Sequence, residues 1–477
     1  MLAVSDDVSC CFIENWLSAS RCGDQVVVYR QGRSISRDEM RQDVWYLMHR
    51  LQQFRPTDIQ SYRWALCFED SYTFTVAFLS VLALGDVPIL PGKTKEDALR
   101  KIQESFDGVV ADQPLAFTVP VVNVNDHVDG VIPQYTQQAF ERVYAIDGAS
   151  PVVFYTSGST GAPKAIVKDV QCLNAEIRLL VRHWCGRLQG CSVLGTVSHQ
   201  HQYGFTFRVM LPMALRLPSV AEMVQFHEQL NACARSEDFS RAALITSPAF
   251  LKRLDTALSC LHFDFVLSAG GVLSFDVLDS VNHCLGTFPH EVYGSTETGV
   301  LAWRYFNGSD AKWLRFEEVT LEWSQTDSRW LARSDLIPQP EGVLLEDQLQ
   351  FESDNVHFSL LGRYDRIVKI EENRVSLTEI ERLLAGFEEI QEAVVLPFMA
   401  GRRQAIGAII VLCTGEGDGL EMSARQALRK HWVASLKKVL DPIAVPRRWR
   451  FVDAIEVNAQ GKRDYAKLIE LLDDVPD

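Results

Sequence analysis

Short β-rich runs alternate with amphipathic helical stretches over residues 24–293. This alternation is the strongest constraint on the fold, because strands joined by helical crossovers assemble into largely parallel sheets. The run at 64–68, for example, precedes a predicted helix at 71–84, and the run at 244–246 leads into Ser247, which can cap a helix. The sequence therefore predicts an α/β fold with stacked βα-type sheets.

Residues 313–358 differ, because their short alternating runs predict a small antiparallel β-subdomain. Beyond Gly362, a strand is predicted before a helix that begins with the capping-box pair Ser376 and Glu379. Further strands and a helix predict a compact α+β unit, at 392–397, 405–412, 422–436 and 449–452. We therefore expect a large domain of residues 1–363 and a small domain of residues 364–477.

The charge balance excludes several classes of partner. Lys and Arg number 47 against 62 Asp and Glu, which gives a formal net charge of −15. This acidity argues against binding to nucleic acid or to anionic membranes. The most apolar stretch, residues 76–84, is shorter than the ~20 residues that span a bilayer. Eleven cysteines without a CxxC pair predict reduced thiols and a cytoplasmic location.

The strongest local signal for chemistry is the segment from Tyr155 to Lys164, which follows an apolar run. It combines glycines and hydroxyl residues with one lysine, namely Thr156, Ser157, Gly158, Ser159, Thr160, Gly161 and Lys164. Backbone N–H groups and hydroxyls in such a loop can bind a polyphosphate. The spacing is GxxGxxK, and Ala165 follows the lysine, so this is no Walker A loop. A plain Gly/Ser surface turn is the alternative.

The loop resembles the phosphate-loop signature of the adenylate-forming superfamily, which includes acyl- and aryl-CoA synthetases, adenylation domains and luciferases. Three further motifs follow in the order of that family, at residues 293–299 (YGSTETG), 361–369 (LGRYDRIVK) and 458–462 (NAQGK). The resemblance covers nearly the whole chain. It implies ATP as substrate and a carboxyl-terminal domain that is mobile.

The resemblance also implies roles for individual residues. Tyr293 and Gly294 would contact adenine, Thr296 the α-phosphate region, and Glu297 would help to hold Mg²⁺. Further implied roles are phosphate binding by Lys164, backbone contact with adenine at Gly270, ribose binding by Asp347 and Arg363, a hinge at Asp365 and catalysis by Lys462. The spacing from Asp347 to Arg363 is about one residue longer than usual in the family.

His199 and His201 form a His-x-His pair for which three interpretations remain. A zinc site would need further ligands at suitable spacing, and none is evident. A pair of buried histidines is the plainest alternative. The interpretation that we favour assigns His201, Tyr203 and Gly204 to the acyl-pocket motif of the family, with His201 at the site and Gly271 as a further residue of the pocket. Since no acid occurs between His199 and Val220, an α-amino acid substrate is disfavoured.

The resemblance implies an ATP- and Mg²⁺-dependent ligase that converts an aryl or medium-chain carboxylic acid into an acyl-AMP. The acyl group would then pass to a pantetheine thiol of CoA or of an acyl carrier protein. Glu372 occupies a position where many members have glycine, so an adenylation-only enzyme is one alternative. A luciferase-type oxygenase and a binding homologue that has lost catalysis are the others.

Overall fold

The computed structural model describes fourteen stretches of the chain, residues 11–18, 22–56, 59–126, 133–157, 163–234, 240–258, 261–271, 273, 275–370, 373–400, 403–413, 421–456, 463 and 465–473. Two compact units result, the first formed by Met1–Leu321 and Ala332–Val343 and the second by Glu322–Leu331 and Leu344–Asp477. The predicted boundary after residue 363, which was placed on a change in sequence pattern, stays a prediction.

The strands of the first unit are short, as the sequence predicts. They are β1 (Val26–Arg30), β2 (Arg33–Ser36), β3 (Arg63–Cys67), β4 (Val87–Leu90), β5 (Gly108–Ala111), β6 (Val121–Asn123), β7 (Pro151–Ser157), β8 (Pro163–Asp169), β9 (Ser192–Gly195), β10 (Ser219–Val220), β11 (Ala242–Thr246), β12 (Phe265–Ser268), β13 (His290–Ser295), β14 (Gly299–Tyr305) and β15 (Trp313–Arg315). The helices are α1 (Arg37–Phe54), α2 (Ser71–Ala83), α3 (Glu96–Arg100), α4 (Gln137–Val143), α5 (Val170–Leu188), α6 (Gln202–Phe205), α7 (Leu211–Leu215), α8 (His227–Ala234), α9 (Pro248–Leu251) and α10 (Leu278–Leu285).

Two large sheets organise this unit. One has the strand order β6-β5-β3-β4-β7-β8 and is parallel except for the final β7–β8 pair. The other includes the order β15-β14-β13-β12-β11-β9-β10-β1-β2, with parallel pairing from β13 to β1 and antiparallel pairs at both ends. The predicted α/β fold with large sheets is confirmed. Both sheets switch from parallel to antiparallel pairing beside a predicted site motif.

Helix α2 contains most of the most apolar stretch of the chain, and it lies in the core. Residues from Ser71 to Leu82 are buried, and the helix packs against β3, β4 and the π-helical turn Thr206–Met210. Asp70 caps its amino terminus by accepting a hydrogen bond from the N–H of Thr73. Of the helices among the described residues, none combines the length and apolar character needed to cross a bilayer.

The predicted change of character after residue 313 is also present. Three strands form a small sheet, β16 (Thr320–Ser324), β17 (Arg329–Arg333) and β18 (Val343–Leu344). The second unit contains β19 (Asp347–Phe351), β20 (His357–Arg363), β21 (Ile367–Ile370), β22 (Asn373–Ser376), β23 (Ile390–Ala400), β24 (Arg403–Leu412), β25 (Arg448–Val452), α11 (Leu377–Leu384), α12 (Met422–Leu436) and α13 (Tyr465–Asp473). Strands β19 and β20 pair antiparallel, and so do β21 and β22.

Alternation along β23 and β24 builds two small cores in the second unit. Val395 and Ile410 face one cluster, which contains residues of α11 and α12 such as Ile380 and Trp432. Val394 and its neighbours on the other face pack with α13. Because side chains alternate between the faces of a strand, both faces of this sheet are apolar and both are covered. Ser376 caps α11 by accepting from the N–H of Glu379, as the sequence predicts.

Candidate active site

The predicted phosphate loop is the connection of the β7–β8 hairpin. Thr156 pairs with Lys164, and Ser157 pairs with Pro163, so the strands close the base of the loop. Lys164 therefore lies at the mouth of the loop, on the strand opposite Thr156. Four of the predicted phosphate-binding residues lie outside the described part of the chain, namely Gly158, Ser159, Thr160 and Gly161.

The second nucleotide motif is the turn of the β13–β14 hairpin. Residues 296–298 form the turn, and Ser295 and Thr298 close it with reciprocal hydrogen bonds of 3.0 and 3.3 Å. A Cβ at Gly294 would lie 2.1 Å from the carbonyl oxygen of Gly299, so glycine is required where the strands approach. The tight hairpin thus holds Thr296 and Glu297 at the end of β13.

An ion pair joins the two hairpins. Lys164 Nζ lies 3.1 Å from Glu297 Oε1, although the two residues are far apart in sequence. Burial raises the pKa of Glu297, but hydrogen bonds from the turn and the Lys164 charge outweigh it, and the pKa falls below its usual value. Glu297 is therefore ionised at neutral pH. The ammonium of Lys164 has three N–H donors, so it can bind Glu297 and a phosphate together.

The donor set fits Mg²⁺ only in partnership with a substrate. Among the described residues, no group of three or more His, Cys, Asp or Glu side chains could hold a metal ion. Glu297 supplies the hard oxygen ligand that Mg²⁺ prefers, and its side chain remains 29% exposed. Protein sites for Mg²⁺ commonly use one or two carboxylates plus substrate phosphates. This arrangement suits Mg²⁺ that arrives with a nucleotide.

The predicted adenine-binding residues lie at the carboxyl ends of two neighbouring strands of the larger sheet. Ser268 on β12 pairs in parallel with Glu291 on β13, so Gly270 and Tyr293 follow at the carboxyl ends of neighbouring strands. Nothing lies within 4 Å of a Cβ at Gly270. The ring of Tyr293 lies 5.8 Å from that of Trp313, at a tilt of 58°. An open backbone turn beside an aromatic ring is compatible with a planar base.

The two histidines of the His-x-His pair have different environments. His199 is buried against the ring of Phe74, 4.8 Å away, and burial holds its pKa well below the usual value. Its ring is therefore neutral and belongs to the core. His201 precedes α6, and a Cβ at Gly92 would lie 2.9 Å from its Cε1 and 2.8 Å from the Tyr155 carbonyl oxygen. Gly92 therefore lies close to both the His201 ring and Tyr155 on β7, and it leaves no room for a side chain between them.

Tyr203 has a structural role that the sequence does not reveal. Its hydroxyl lies 2.9 Å from the carbonyl oxygens of both Thr246 and Leu267, at the carboxyl ends of β11 and β12. Burial raises its pKa well above the usual value, so the hydroxyl keeps its proton and donates. The predicted acyl motif is therefore attached to the sheet through the Tyr203 side chain.

Two predicted ribose-binding residues face each other in the second unit. Asp347 and Arg363 are opposite one another across β19 and β20, so the unusual spacing in sequence is compatible with direct pairing. The backbone of Asp365 belongs to a short 3₁₀ turn, Tyr364–Arg366. Lys462 lies outside the described residues, but its neighbour Arg463 donates to Glu392 Oε1 at 3.0 Å.

Sequence reasoning missed two buried charged residues beside the first-unit site, Glu176 and Lys168. Both are 2% exposed. A signal was present in each case. Lys168 shares the inward face of β8 with Ile166, and Glu176 lies on the helical face that also contains Leu173 and Leu180. A charge on an apolar face predicts a buried partner, but the sequence does not identify that partner.

Comparison with known proteins agrees with the fold and the motifs. The family model for the AMP-binding enzyme matches residues 16–325, which is more than half of the chain. The chain therefore belongs to the AMP-binding enzyme family, and the predicted resemblance to adenylate-forming enzymes is confirmed. Its relatives include 4-coumarate–CoA ligase of Rhodobacter capsulatus, with 25% identity over 69% of this chain and 79% of the relative. The 4-chlorobenzoate–CoA ligase of an Arthrobacter species is 27% identical over 42% of this chain and 39% of the relative.

Solved structures show the same fold. ATP-bound MatB from Rhodopseudomonas palustris matches with a TM-score of 0.76 and 17% identity, covering 97% of this chain and 99% of the other. The o-succinylbenzoate CoA synthetase of Bacillus subtilis, in complex with the acyl-adenylate intermediate, matches with a TM-score of 0.75 and 13% identity. That match covers 97% of this chain and 99% of the synthetase.

Proposed function

We propose that the protein activates a carboxylic acid with ATP to form an acyl-AMP and then transfers the acyl group to a thiol. The observation that carries this proposal is the Lys164–Glu297 pair, which joins two hairpins carrying nucleotide motifs. One group can neutralise phosphate charge, and the other can ligate the metal that accompanies the phosphates. The family membership and the CoA ligases among the relatives support the same reaction.

In the first step, a carboxylate oxygen forms a bond to the α-phosphorus, and the bond to the β-phosphate oxygen breaks to release pyrophosphate. Positioning and charge stabilisation dominate such a reaction. Lys164 and the β7–β8 loop hold the β- and γ-phosphates, while Thr296 contacts the α-phosphate region. Mg²⁺ bound with ATP supplies further charge neutralisation.

In the second step, a thiolate attacks the acyl carbon and AMP leaves, after the thiol proton has passed to solvent or to a base. The acceptor is CoA or the phosphopantetheine arm of an acyl carrier protein, since both present the same thiol. We assign ribose binding to Asp347 and Arg363, the hinge to Asp365 and the catalytic cation of the first step to Lys462. The resemblance supports these assignments, and the pairing of Asp347 with Arg363 agrees with them.

The substrate is an aryl or medium-chain acyl acid. No acidic residue occurs between His199 and Val220 to pair with a buried ammonium group, which disfavours α-amino acids. The names of the 4-coumarate and 4-chlorobenzoate ligases support an aromatic acid. Cysteines in the described part of the chain are free thiols, which supports a cytoplasmic location.

An ATP–pyrophosphate exchange screen over aryl, short, medium and long carboxylic acids tests the first step. We expect exchange with a subset of aryl or medium-chain acids. The best acid is then offered with CoA and with a holo carrier protein in parallel, and thioester is measured. Exchange without thioester from either acceptor would support the adenylation-only alternative that Glu372 suggests. Absence of exchange with every acid would contradict the proposal.

A further inference from the structure

Glu176 is a buried carboxylate that the proposed reaction does not use. It lies on α5, and each of its oxygens accepts hydrogen bonds from a different part of the site. The N–H of Val300 donates to Oε1 at 3.0 Å. The hydroxyl of Thr206 and the amide of Gln202 donate to Oε2 at 3.1 and 3.3 Å. A buried carboxylate is stable only when it is satisfied in this way.

The first oxygen fixes the hairpin that carries Glu297. Val300 and Gly299 follow directly after the turn at 296–298. Gly299 has φ of +67°, and a Cβ there would lie 3.0 Å from Glu176 Oε1 and 3.0 Å from Leu336 Cδ2. The end of the turn is therefore seated against the carboxylate, with no space for a larger residue. Movement of Glu176 would shift the backbone that positions Glu297.

The second oxygen fixes the segment that follows His201. Gln202 begins α6, and Thr206 begins the π-helical turn Thr206–Met210. Turns of this type often occur at functional sites. One carboxylate thus connects the nucleotide hairpin to the predicted acyl motif.

Lys168 compensates the buried negative charge. Its ammonium donates to the carbonyl oxygen of Leu336 at 2.8 Å, which holds Leu336 against Gly299. Burial lowers the pKa of Lys168, and the nearby Glu176 opposes that shift. A buried charge without such compensation would be strongly destabilising. Gly299 is therefore enclosed by Glu176 on one side and by a loop that Lys168 anchors on the other.

We propose that Glu176 is a positioning residue. It holds Glu297 in place for metal and phosphate binding, and it holds the segment that follows His201 in place for binding of the acid. This inference rests on the proposed function. It predicts that a change at Glu176 acts mainly on the magnesium-dependent part of ATP binding, because the Val300 bond supports the turn that presents Glu297. It also predicts a separate effect on the acid through Thr206.

Glu176→Gln tests the first effect, since the amide keeps the size of the side chain but replaces one acceptor by a donor. ATP binding is measured by calorimetry with Mg²⁺ and again with EDTA. We expect affinity with Mg²⁺ to fall by about ten- to a hundredfold, with a much smaller change in EDTA. Glu291→Gln is the matched control, because Glu291 is equally buried but bonds to Arg304. The control should leave both affinities within about twofold of the wild type.

Thr206→Val keeps the inference testable if the Glu176 variant fails to fold. It removes one donor to Oε2 and leaves the Val300 bond. Pyrophosphate exchange should then show a raised KM for the acid and an unchanged dependence on Mg²⁺. Equal effects of Glu176→Gln and Glu291→Gln, or a Thr206→Val enzyme with an unchanged KM, would overturn the inference.

The binding assay separates this inference from the proposed function. If the wild-type protein binds ATP with Mg²⁺ but exchanges with no acid, the proposed reaction is wrong, and the two carboxylate variants still decide the role of Glu176. If the wild-type protein does not bind ATP, both proposals are wrong.

Discussion

Two carboxylates, one in each unit, hold segments of their own unit in contrasting ways. Glu176 is fully buried, and its hydrogen-bond donors are neutral groups that include a backbone N–H. Glu381 is 16% exposed; it accepts from the N–H of Val395 at 2.8 Å and pairs with two arginines, Arg366 and Arg463. Arg463 also pairs with Glu392 at 3.0 Å.

Each of these arginines follows a predicted functional residue in the sequence. Arg366 follows the predicted hinge residue Asp365, and Arg463 follows the predicted catalytic residue Lys462. Long guanidinium side chains can exchange partners without a change in the backbone. The hydrogen bond from the Val300 N–H to Glu176 can break only if the backbone or Glu176 moves. The contrast teaches that the turn carrying Glu297 is fixed through its backbone, while Arg366 and Arg463 are held through side chains. The second arrangement suits a domain that rotates, as the family resemblance implies.

The largest effect is expected from Lys462→Ala. Loss of this cation should reduce acyl-AMP formation on the order of 10²- to 10³-fold, because negative charge then develops without stabilisation. Thioester formation from supplied acyl-AMP should stay largely intact. Pyrophosphate exchange and thioester assays measure the two half-reactions separately.

Lys467→Ala is the matched control, since Lys467 is a nearby exposed lysine that pairs with Glu456 at 2.7 Å. It should leave both half-reactions unchanged. An equal loss of the two half-reactions in Lys462→Ala would show that the lysine segment does not act in one step alone, and the contrast between the units would fail.

A smaller effect is expected from Glu381→Gln. The amide oxygen can keep the Val395 bond, but both arginines lose their shared negative partner. We expect pyrophosphate exchange to fall by about three- to tenfold, less than the loss from Glu176→Gln in Mg²⁺-dependent binding. Glu392→Gln, which removes an acceptor of Arg463 alone, should have a weaker effect still. A loss from Glu392→Gln that exceeds the loss from Glu381→Gln would break the comparison.

The last effect concerns stability rather than activity. Burial raises the pKa of Glu291 to about 7, although Arg304 opposes the shift. The folded state therefore holds a proton that the unfolded state releases above its ordinary pKa of about 4.5. By linkage, this group stabilises the folded protein at low pH, and that contribution is lost as the pH rises towards 7.

Urea unfolding of the wild type and of Glu291→Gln at about pH 5 and about pH 7.5 measures the effect. We expect the free energy of unfolding of the wild type, relative to the variant, to fall by roughly 2 kcal/mol between the two pH values. A difference that is constant with pH, or that rises with pH, would show that Glu291 stays ionised.

Periodicity in the sequence predicted most strands and helices, including β3, α2 and α12, because burial on one or two faces leaves a direct trace in residue type. It did not predict that each of the two predicted nucleotide motifs connects a pair of antiparallel strands. A βα pattern does not show that β8 and β14 run antiparallel to the strands before them. The motif residues Lys164 and Glu297 were identified from resemblance, and their contact emerged only in three dimensions. Glu176 was missed because its donors come from segments distant in the chain.

The hydrogen bond that the Tyr203 hydroxyl shares between two carbonyl oxygens also limits how the substrate range of this enzyme can be redesigned. Its hydroxyl is committed to the ends of β11 and β12, so a substitution there would loosen the sheet together with any change in the pocket. Gly271 has room for a side chain, because the nearest atom to a Cβ at that position is Pro248 Cγ at 3.7 Å. Libraries for altered acid preference should therefore begin at Gly271 and keep Tyr203 unchanged.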